Sequence, residues 1–131
     1  NFINSAVKVE ANYSPNEILQ KLHEIEQKFD RKRASRWSAR TLDLDLLAFE
    51  GHVLPSRKIF QQWFDLPKSE QKQKTPHELV LPHPRMQDRA FVLFPLLDIE
   101  PKWTHPTLKK TVLQLYEELP NKEKKNIQIV Q

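Results

Sequence analysis

The segment Thr41-Leu42-Asp43-Leu44-Asp45-Leu46-Leu47 alternates between polar and apolar residues up to its last position. Successive side chains of a β-strand point to opposite faces, so the alternation predicts a strand with leucines on one face and aspartates on the other. The two aspartates would stand about 6.5–7 Å apart at their Cα atoms, close enough for their carboxylates to converge on one or two hard cations. An amphipathic strand with a merely solvated acidic face would show the same pattern, so the pair alone leaves both interpretations open.

Four arginines lie immediately upstream, on a stretch without apolar periodicity that is predicted to be a loop. A guanidinium is a planar group that can bind two phosphate oxygens at once. The acidic strand and the basic loop together therefore predict a site for a metal-bound polyphosphate. The loop also contains Trp37. Its arginines are Arg31, Arg33, Arg36 and Arg40.

The composition of the whole chain narrows the possible functions. Its 131 residues suffice for one domain, and its net charge of +4 favours polyanionic ligands, either nucleotides or nucleic acids. The single glycine excludes a P-loop or a Rossmann phosphate loop, so any ATP must be held by side chains and metal. The lack of cysteine excludes thiolate metal sites and is compatible with the cytoplasmic location that we predict. No apolar run approaches the roughly 20 residues that span a membrane, so no membrane partner is expected.

Several helices are predicted from local signals. Ser14-Pro15-Asn16-Glu17 is a capping box with proline at the first helical position, which predicts that a helix begins there. A second helix is predicted over Met86–Leu97, closed or kinked at Pro95, and a last one over Thr107–Leu119. Short strands are expected beside them, at 53–54 and 79–81.

A second segment with the character of a site is Pro82-His83-Pro84-Arg85-Met86-Gln87-Asp88-Arg89-Ala90-Phe91. Combined with Arg36-Trp37-Ser38-Ala39-Arg40-Thr41-Leu42-Asp43-Leu44-Asp45, it resembles the 6-hydroxymethyl-7,8-dihydropterin pyrophosphokinase family of folate biosynthesis. The resemblance runs from about Asn1 to about Leu115, interrupted between about Pro55 and Pro76. The departures from the family pattern, at Asp30, Ser38 and Ala39, affect the conformation of the loop more than its chemistry.

The resemblance implies an α/β (α+β) fold, a ferredoxin-like sandwich with a mainly antiparallel sheet and packed helices. It makes Phe2–Val9 an inner strand that family members precede with a further portion, including the first strand and much of the pterin pocket. We therefore expect a single domain over 1–131 that is N-terminally incomplete, with weak or no activity as it stands. The segment 55–77 is interpreted as a surface insertion, with one amphipathic helix near Ile59–Leu66 and a mobile stretch to Pro76. A partner-binding insertion is the alternative.

The implied reaction is ATP-dependent pyrophosphoryl transfer to 6-hydroxymethyl-7,8-dihydropterin, giving AMP and the pterin diphosphate. Two Mg²⁺ ions would be bound by Asp43 and Asp45, and a loop with Arg33, Arg36 and Trp37 would close over the site. The implied catalytic residues are Arg31, Arg40, Asp43 and Asp45. The implied ATP-binding residues are Glu26, Arg31, Arg33, Arg36, Trp37, Arg40, His83 and Arg89, and the implied pterin-binding residues are Phe2, Asn4 and Phe91.

Structural roles remain open for several of these residues. The sequence is also compatible with purely structural roles. Glu26 would then be an ordinary surface carboxylate, His83 a turn residue between two prolines, and Phe2 and Phe91 residues of the hydrophobic core. A basic nucleic-acid-binding module without catalysis is the competing function, but phosphate would be repelled by the two aspartates unless metal were bound. A two-metal phosphodiesterase would need more acidic ligands. We expect small-molecule substrates, no nucleic-acid partner, and fusion or association with other folate-pathway enzymes as a possibility.

Overall fold

The computed structural model describes residues 2–30 and 42–130 of the chain. Its elements are α1 (Pro15–Asp30), α2 (Arg57–Phe64), α3 (Lys68–Gln73), a 3-10 turn (Met86–Asp88), α4 (Ala90–Ile99), α5 (Val112–Glu117) and α6 (Asn121–Lys124). The β-structure of these described residues is limited to two isolated antiparallel bridges, Leu54 with Leu81 and Thr104 with Thr111. The predicted ferredoxin-like sandwich with a mainly antiparallel sheet is therefore wrong for this structure.

The reason for the missing sheet lies in backbone pairing. A strand is stabilised by hydrogen bonds to a neighbouring strand, and alternation of side chains does not provide that neighbour. In the described part of the chain, no backbone hydrogen bond joins residues 2–9 to another segment. The side chains of Phe2 and Ile3 are 91% and 81% exposed. The segment 2–9 is therefore an exposed stretch without regular secondary structure and not an inner strand.

The acidic segment keeps its predicted alternation without a sheet. Leu42, Leu44 and Leu46 are half-buried, whereas Asp43 and Asp45 are exposed. The Leu44 amide donates to Glu26 Oε2 at 2.7 Å, which ties the segment to α1. The aspartates are therefore presented to solvent by an extended segment whose leucines face the protein.

The helix α1 begins as the capping box predicts. The Glu17 amide donates to Ser14 Oγ (3.2 Å), and the Ser14 amide donates to Glu17 Oε1 (3.1 Å). None of the residues of α1 is buried, and Ile25 and Phe29 of its apolar stripe are each 40% exposed.

The hydrophobic core lies between α4 and α5. Both helices differ in extent from the prediction. Residues 86–88 form a 3-10 turn, so α4 begins only at Ala90, and it continues through Pro95. The stretch before α5 turns back on itself, with Lys109 at a φ of 58°. The helix α5 therefore begins only at Val112, after Thr111, which caps it. The buried core side chains are Met86, Ala90, Leu93, Val112, Leu115 and Leu119.

The segment 55–77 contains two helices where the sequence predicted one. Ser56 caps α2 by accepting from the Ile59 amide (3.2 Å), and Phe60 on α2 is fully buried. The Lys/Gln-rich stretch, which was expected to be mobile, contains the short helix α3. Among the described helices, none is both long and apolar enough to cross a membrane.

Candidate active site

His83 is held beside the acidic segment by backbone hydrogen bonds. Its amide donates to the carbonyl of Leu47 at 2.8 Å, two residues after Asp45. Two residues before His83, Leu81 exchanges both backbone hydrogen bonds with Leu54, at 2.9 and 3.0 Å. These contacts bring together the two segments that the sequence singled out as carrying chemistry.

A cavity of about 920 Å³ opens where these segments meet. Asp45, His83 and Arg89 line it, together with Arg85. Residues of α1 and of the segment 55–77 form other parts of its wall. Ligand pockets for small molecules typically have volumes of about 300–1,000 Å³, so the space suits a ligand of nucleotide size.

The ionisation of His83 is controlled by burial and by three neighbouring charges. Burial lowers the pKa of His83, Asp45 raises it, and Arg89 and Arg85 lower it, with a net lowering. The ring is therefore neutral at pH 7. The Arg85 amide donates to His83 Nδ1 at 3.2 Å, so the proton of the neutral ring lies on Nε2. His83 can thus offer one N–H donor to a ligand.

Arg89 interacts electrostatically with both aspartates. Burial and Arg85 lower the pKa of Arg89, while Asp45 and Asp43 raise it. An arginine guanidinium is effectively always charged in proteins, so Arg89 carries a positive charge at neutral pH. Arg89 and the two carboxylates therefore influence each other, although only Asp45 and Arg89 line the cavity and Asp43 does not. A cation beside carboxylates suits a metal-bound phosphate.

A smaller cavity of about 210 Å³ shares Arg85 and Arg89 with the larger one and is also lined by Phe91. The Arg89 guanidinium carbon lies 5.5 Å from the centroid of the Phe91 ring, and Phe91 is 45% exposed. Phe2 and Asn4, which were predicted to share the pterin site with Phe91, line neither cavity. The structure therefore brings Phe91 to the arginines but does not bring Phe2 and Asn4 with it.

Comparison with known proteins identifies the family. The family model described as 7,8-dihydro-6-hydroxymethylpterin-pyrophosphokinase matches residues 1–101. The chain belongs to this family. That result confirms the resemblance inferred from the acidic segment and the Pro-His-Pro segment.

Several curated relatives carry the name 2-amino-4-hydroxy-6-hydroxymethyldihydropteridine pyrophosphokinase. The one from Synechocystis sp. is 39% identical over 118 residues, which are 90% of this chain and 50% of that protein. The one from Pseudomonas aeruginosa is 38% identical over 100 residues, 76% of this chain and 49% of that protein. A Dictyostelium discoideum relative named Folic acid synthesis protein FOL1 is 31% identical over 120 residues, 92% of this chain and 15% of that protein. The chain thus spans about half the length of the first of these pyrophosphokinases.

The acidic pair of this chain suits Mg²⁺. Asp43 and Asp45 supply exposed carboxylate oxygens two residues apart on an extended segment. Within residues 2–30 and 42–130 no group of three or more His, Asp or Glu side chains is placed to hold a metal. Mg²⁺ usually binds to one or two carboxylates and takes its remaining ligands from water and substrate phosphates, so two aspartates fit its requirements.

Glu26 has a contact that the sequence did not predict. Its carboxylate is half-buried and accepts the Leu44 amide, between the two aspartates in the chain. Glu26 therefore positions the acidic segment, and its direct contact with ATP stays a prediction. The predicted residues of the basic loop lie outside the described residues. They are Arg31, Arg33, Arg36, Trp37 and Arg40.

Sequence reasoning assigned no role to two side chains at the site. Arg85 lines both cavities. Its position two residues after His83, in the Pro-His-Pro-Arg segment, was the sequence feature that could have identified it as a site residue. His23 is exposed on α1 and lines the larger cavity. No signal in the sequence identified His23, because its position depends on how α1 packs.

Proposed function

We propose that this chain forms part of an enzyme that transfers a pyrophosphoryl group from ATP to 6-hydroxymethyl-7,8-dihydropterin, giving AMP and the pterin diphosphate. The observation that carries the proposal is the cavity in which Asp45, His83 and Arg89 meet, in a chain of the pyrophosphokinase family. Phosphoryl-group transfer depends mainly on positioning and on neutralising charge. A site with two carboxylates, a neutral imidazole and arginines supplies both.

Asp43 and Asp45 would hold Mg²⁺, with two ions expected from the family. Bound Mg²⁺ would neutralise phosphate charge and favour attack by the pterin hydroxyl. Arg89 and the Nε2–H of His83 would hold phosphate oxygens by charge-assisted hydrogen bonds. Glu26 would hold the acidic segment in position by accepting the hydrogen bond from the Leu44 amide. These groups bind and orient the triphosphate, and none of them needs to form a covalent bond.

The basic loop would complete the site. In this proposal Arg31 and Arg40 contact phosphates, and Arg33, Arg36 and Trp37 close over the bound substrates and exclude water. Phe91 would stack on the flat pterin ring, with Phe2 and Asn4 joining it from the extended N-terminal stretch. The Dictyostelium relative's name makes association with other folate-pathway enzymes a reasonable further proposal, and the cytoplasmic location remains a prediction.

The proposal is tested by incubating the full natural protein with ATP, Mg²⁺ and the hydroxymethyl-dihydropterin and measuring AMP and pterin diphosphate. We expect both products to form in equal amounts and only when Mg²⁺ is present. Binding of an oligonucleotide at physiological salt is measured in parallel, because a protein that tracks a phosphate backbone shows steep salt dependence. Tight, salt-sensitive oligonucleotide binding without AMP formation would contradict the proposal.

A further inference from the structure

Part of the wall of the larger cavity belongs to neither sequence motif. It comes from residues 68–77, which comprise α3 and the extended chain that follows it. This segment, named here the α3 wall, lies in the stretch where the family resemblance is interrupted. Its cavity-lining residues are Gln71, Lys72, Lys74, Thr75, Pro76 and His77.

The α3 wall is fixed to the rest of the structure through α2. The fully buried Phe60 ring lies 5.9 Å, centroid to centroid, from the buried ring of His105. The Gln71 side-chain amide donates to the Trp63 carbonyl at 3.2 Å, which holds α3 against the end of α2. Trp63 itself also lines the cavity. The α3 wall is therefore anchored through α2 to the rest of the protein.

The charge on the cavity lining is predominantly positive. Lys72 and Lys74 of the α3 wall add to Arg85 and Arg89, and the carboxylates of the lining belong to Asp45 and Glu78. Lys74 Nζ lies 3.6 Å from Glu70 Oε1, with both side chains about half exposed. Such an exposed pair contributes little to stability, so a phosphate can displace Glu70 at low cost.

We propose that Lys72 and Lys74 bind the outer (β- and γ-) phosphates of the nucleotide and so raise the affinity of this chain for ATP. The inference rests on the proposed function and extends it to a segment outside the family motifs. An ammonium group binds phosphate as a point charge on a flexible stem, which suits two lysines that line the same cavity as Arg89 and His83. A dihydropterin carries no anionic group, so the lysines favour the nucleotide as their ligand.

The test uses calorimetric titration of the full natural protein with a non-hydrolysable ATP analogue plus Mg²⁺, and separately with AMP. In the double variant Lys72→Ala/Lys74→Ala we expect the Kd for the ATP analogue to rise roughly tenfold, as expected when two charge contacts to phosphate are lost. The Kd for AMP should change by less than about twofold, because AMP lacks the outer phosphates. The difference between wild type and variant should shrink as salt is raised.

The matched control is Lys58→Ala/Lys122→Ala, which removes the same charge from two exposed lysines that line neither cavity. Its affinities should equal those of the wild type. Equal loss of AMP and ATP-analogue affinity in Lys72→Ala/Lys74→Ala, or an unchanged affinity for both, would overturn the inference alone. Failure of the wild-type protein itself to bind the ATP analogue would overturn the inference together with the proposed function.

Discussion

The carboxylate of Glu26, on α1, accepts a hydrogen bond of 2.7 Å from the backbone amide of Leu44, which lies between Asp43 and Asp45. The bond joins two parts of the chain that are 18 residues apart, and it fixes the backbone from which both aspartates project. The contact is half-buried, so its loss leaves a backbone donor with reduced access to water. The geometry of the acidic pair therefore depends on a side chain outside the acidic motif.

Replacing Glu26 tests this dependence. Glu26→Ala should lower the free energy of unfolding by about 1–3 kcal/mol, because the Leu44 amide loses its acceptor. Glu26→Gln retains an acceptor oxygen and should cost much less. Urea denaturation measures both. The control is Glu24→Ala, an exposed carboxylate on the same helix, which should stay within about 0.5 kcal/mol of the wild type. Equal destabilisation by Glu26→Ala and Glu24→Ala would show that the Leu44 bond contributes nothing.

Removing a carboxylate of the acidic pair should abolish Mg²⁺-dependent binding of nucleotide without unfolding the protein. Asp43 and Asp45 are exposed, and exposed carboxylates contribute little to stability. Calorimetry with a non-hydrolysable ATP analogue should show an affinity gain on adding Mg²⁺ in the wild type and little gain in Asp43→Ala or Asp45→Ala. Asp98→Ala, an exposed aspartate on α4, is the control. An Mg²⁺ effect that survives in both site variants would exclude the metal role.

The pKa of His83 should move in opposite directions in two variants. Asp45 raises the pKa of His83, so Asp45→Asn should lower it further below its ordinary value. Arg89 lowers the pKa of His83, so Arg89→Gln should raise it. NMR titration of the His83 ring protons measures both shifts, and Arg57→Gln on the exposed start of α2 is the control. Shifts of the same sign in the two site variants would mean that His83 does not sense these charges.

The stability of the protein should fall in mildly acidic solution because of His105. This side chain is fully buried, and burial lowers its pKa from 6.5 to about 4. Between these pH values the unfolded chain binds a proton that the folded protein does not, so stability is greatest above about pH 6.5 and decreases as the pH falls to about 4. Protonation of His105 alone should lower the free energy of unfolding by about 3 kcal/mol over this pH range. Thermal denaturation across this pH range measures it.

The control for this pH effect is His105→Asn. The Nδ1 atom of His105 accepts from the amides of Thr107 (3.3 Å) and Leu108 (3.2 Å), and the side-chain oxygen of asparagine can replace that acceptor without titrating. The variant should therefore retain the turn and show a shallower decline of stability between pH 6.5 and 4. His83 also has a lowered pKa and contributes a decline in the same direction, which this variant leaves in place. A decline as steep as that of the wild type would assign the whole effect to other groups.

The sequence predictions that the structure and the family comparison confirm rest on local signals. The alternation after Thr41 correctly separated exposed aspartates from half-buried leucines, since that pattern follows from the geometry of any extended chain. The Ser14 capping box fixed the start of α1, because both of its hydrogen bonds close within four residues. Membership of the pyrophosphokinase family likewise followed from two short sequence motifs, and the family model and the curated relatives confirm it.

Only the tertiary structure decided which segments pair and what surrounds the motifs. The segments 2–9 and 41–47 were predicted to be strands, yet neither belongs to a sheet among the described residues, because alternation specifies a face and not a hydrogen-bonded neighbour. The bond from Leu44 to Glu26 and the placement of Lys72 and Lys74 on the cavity wall depend on contacts between residues distant in sequence. Such contacts are set by packing over the whole chain, and no local pattern encodes them.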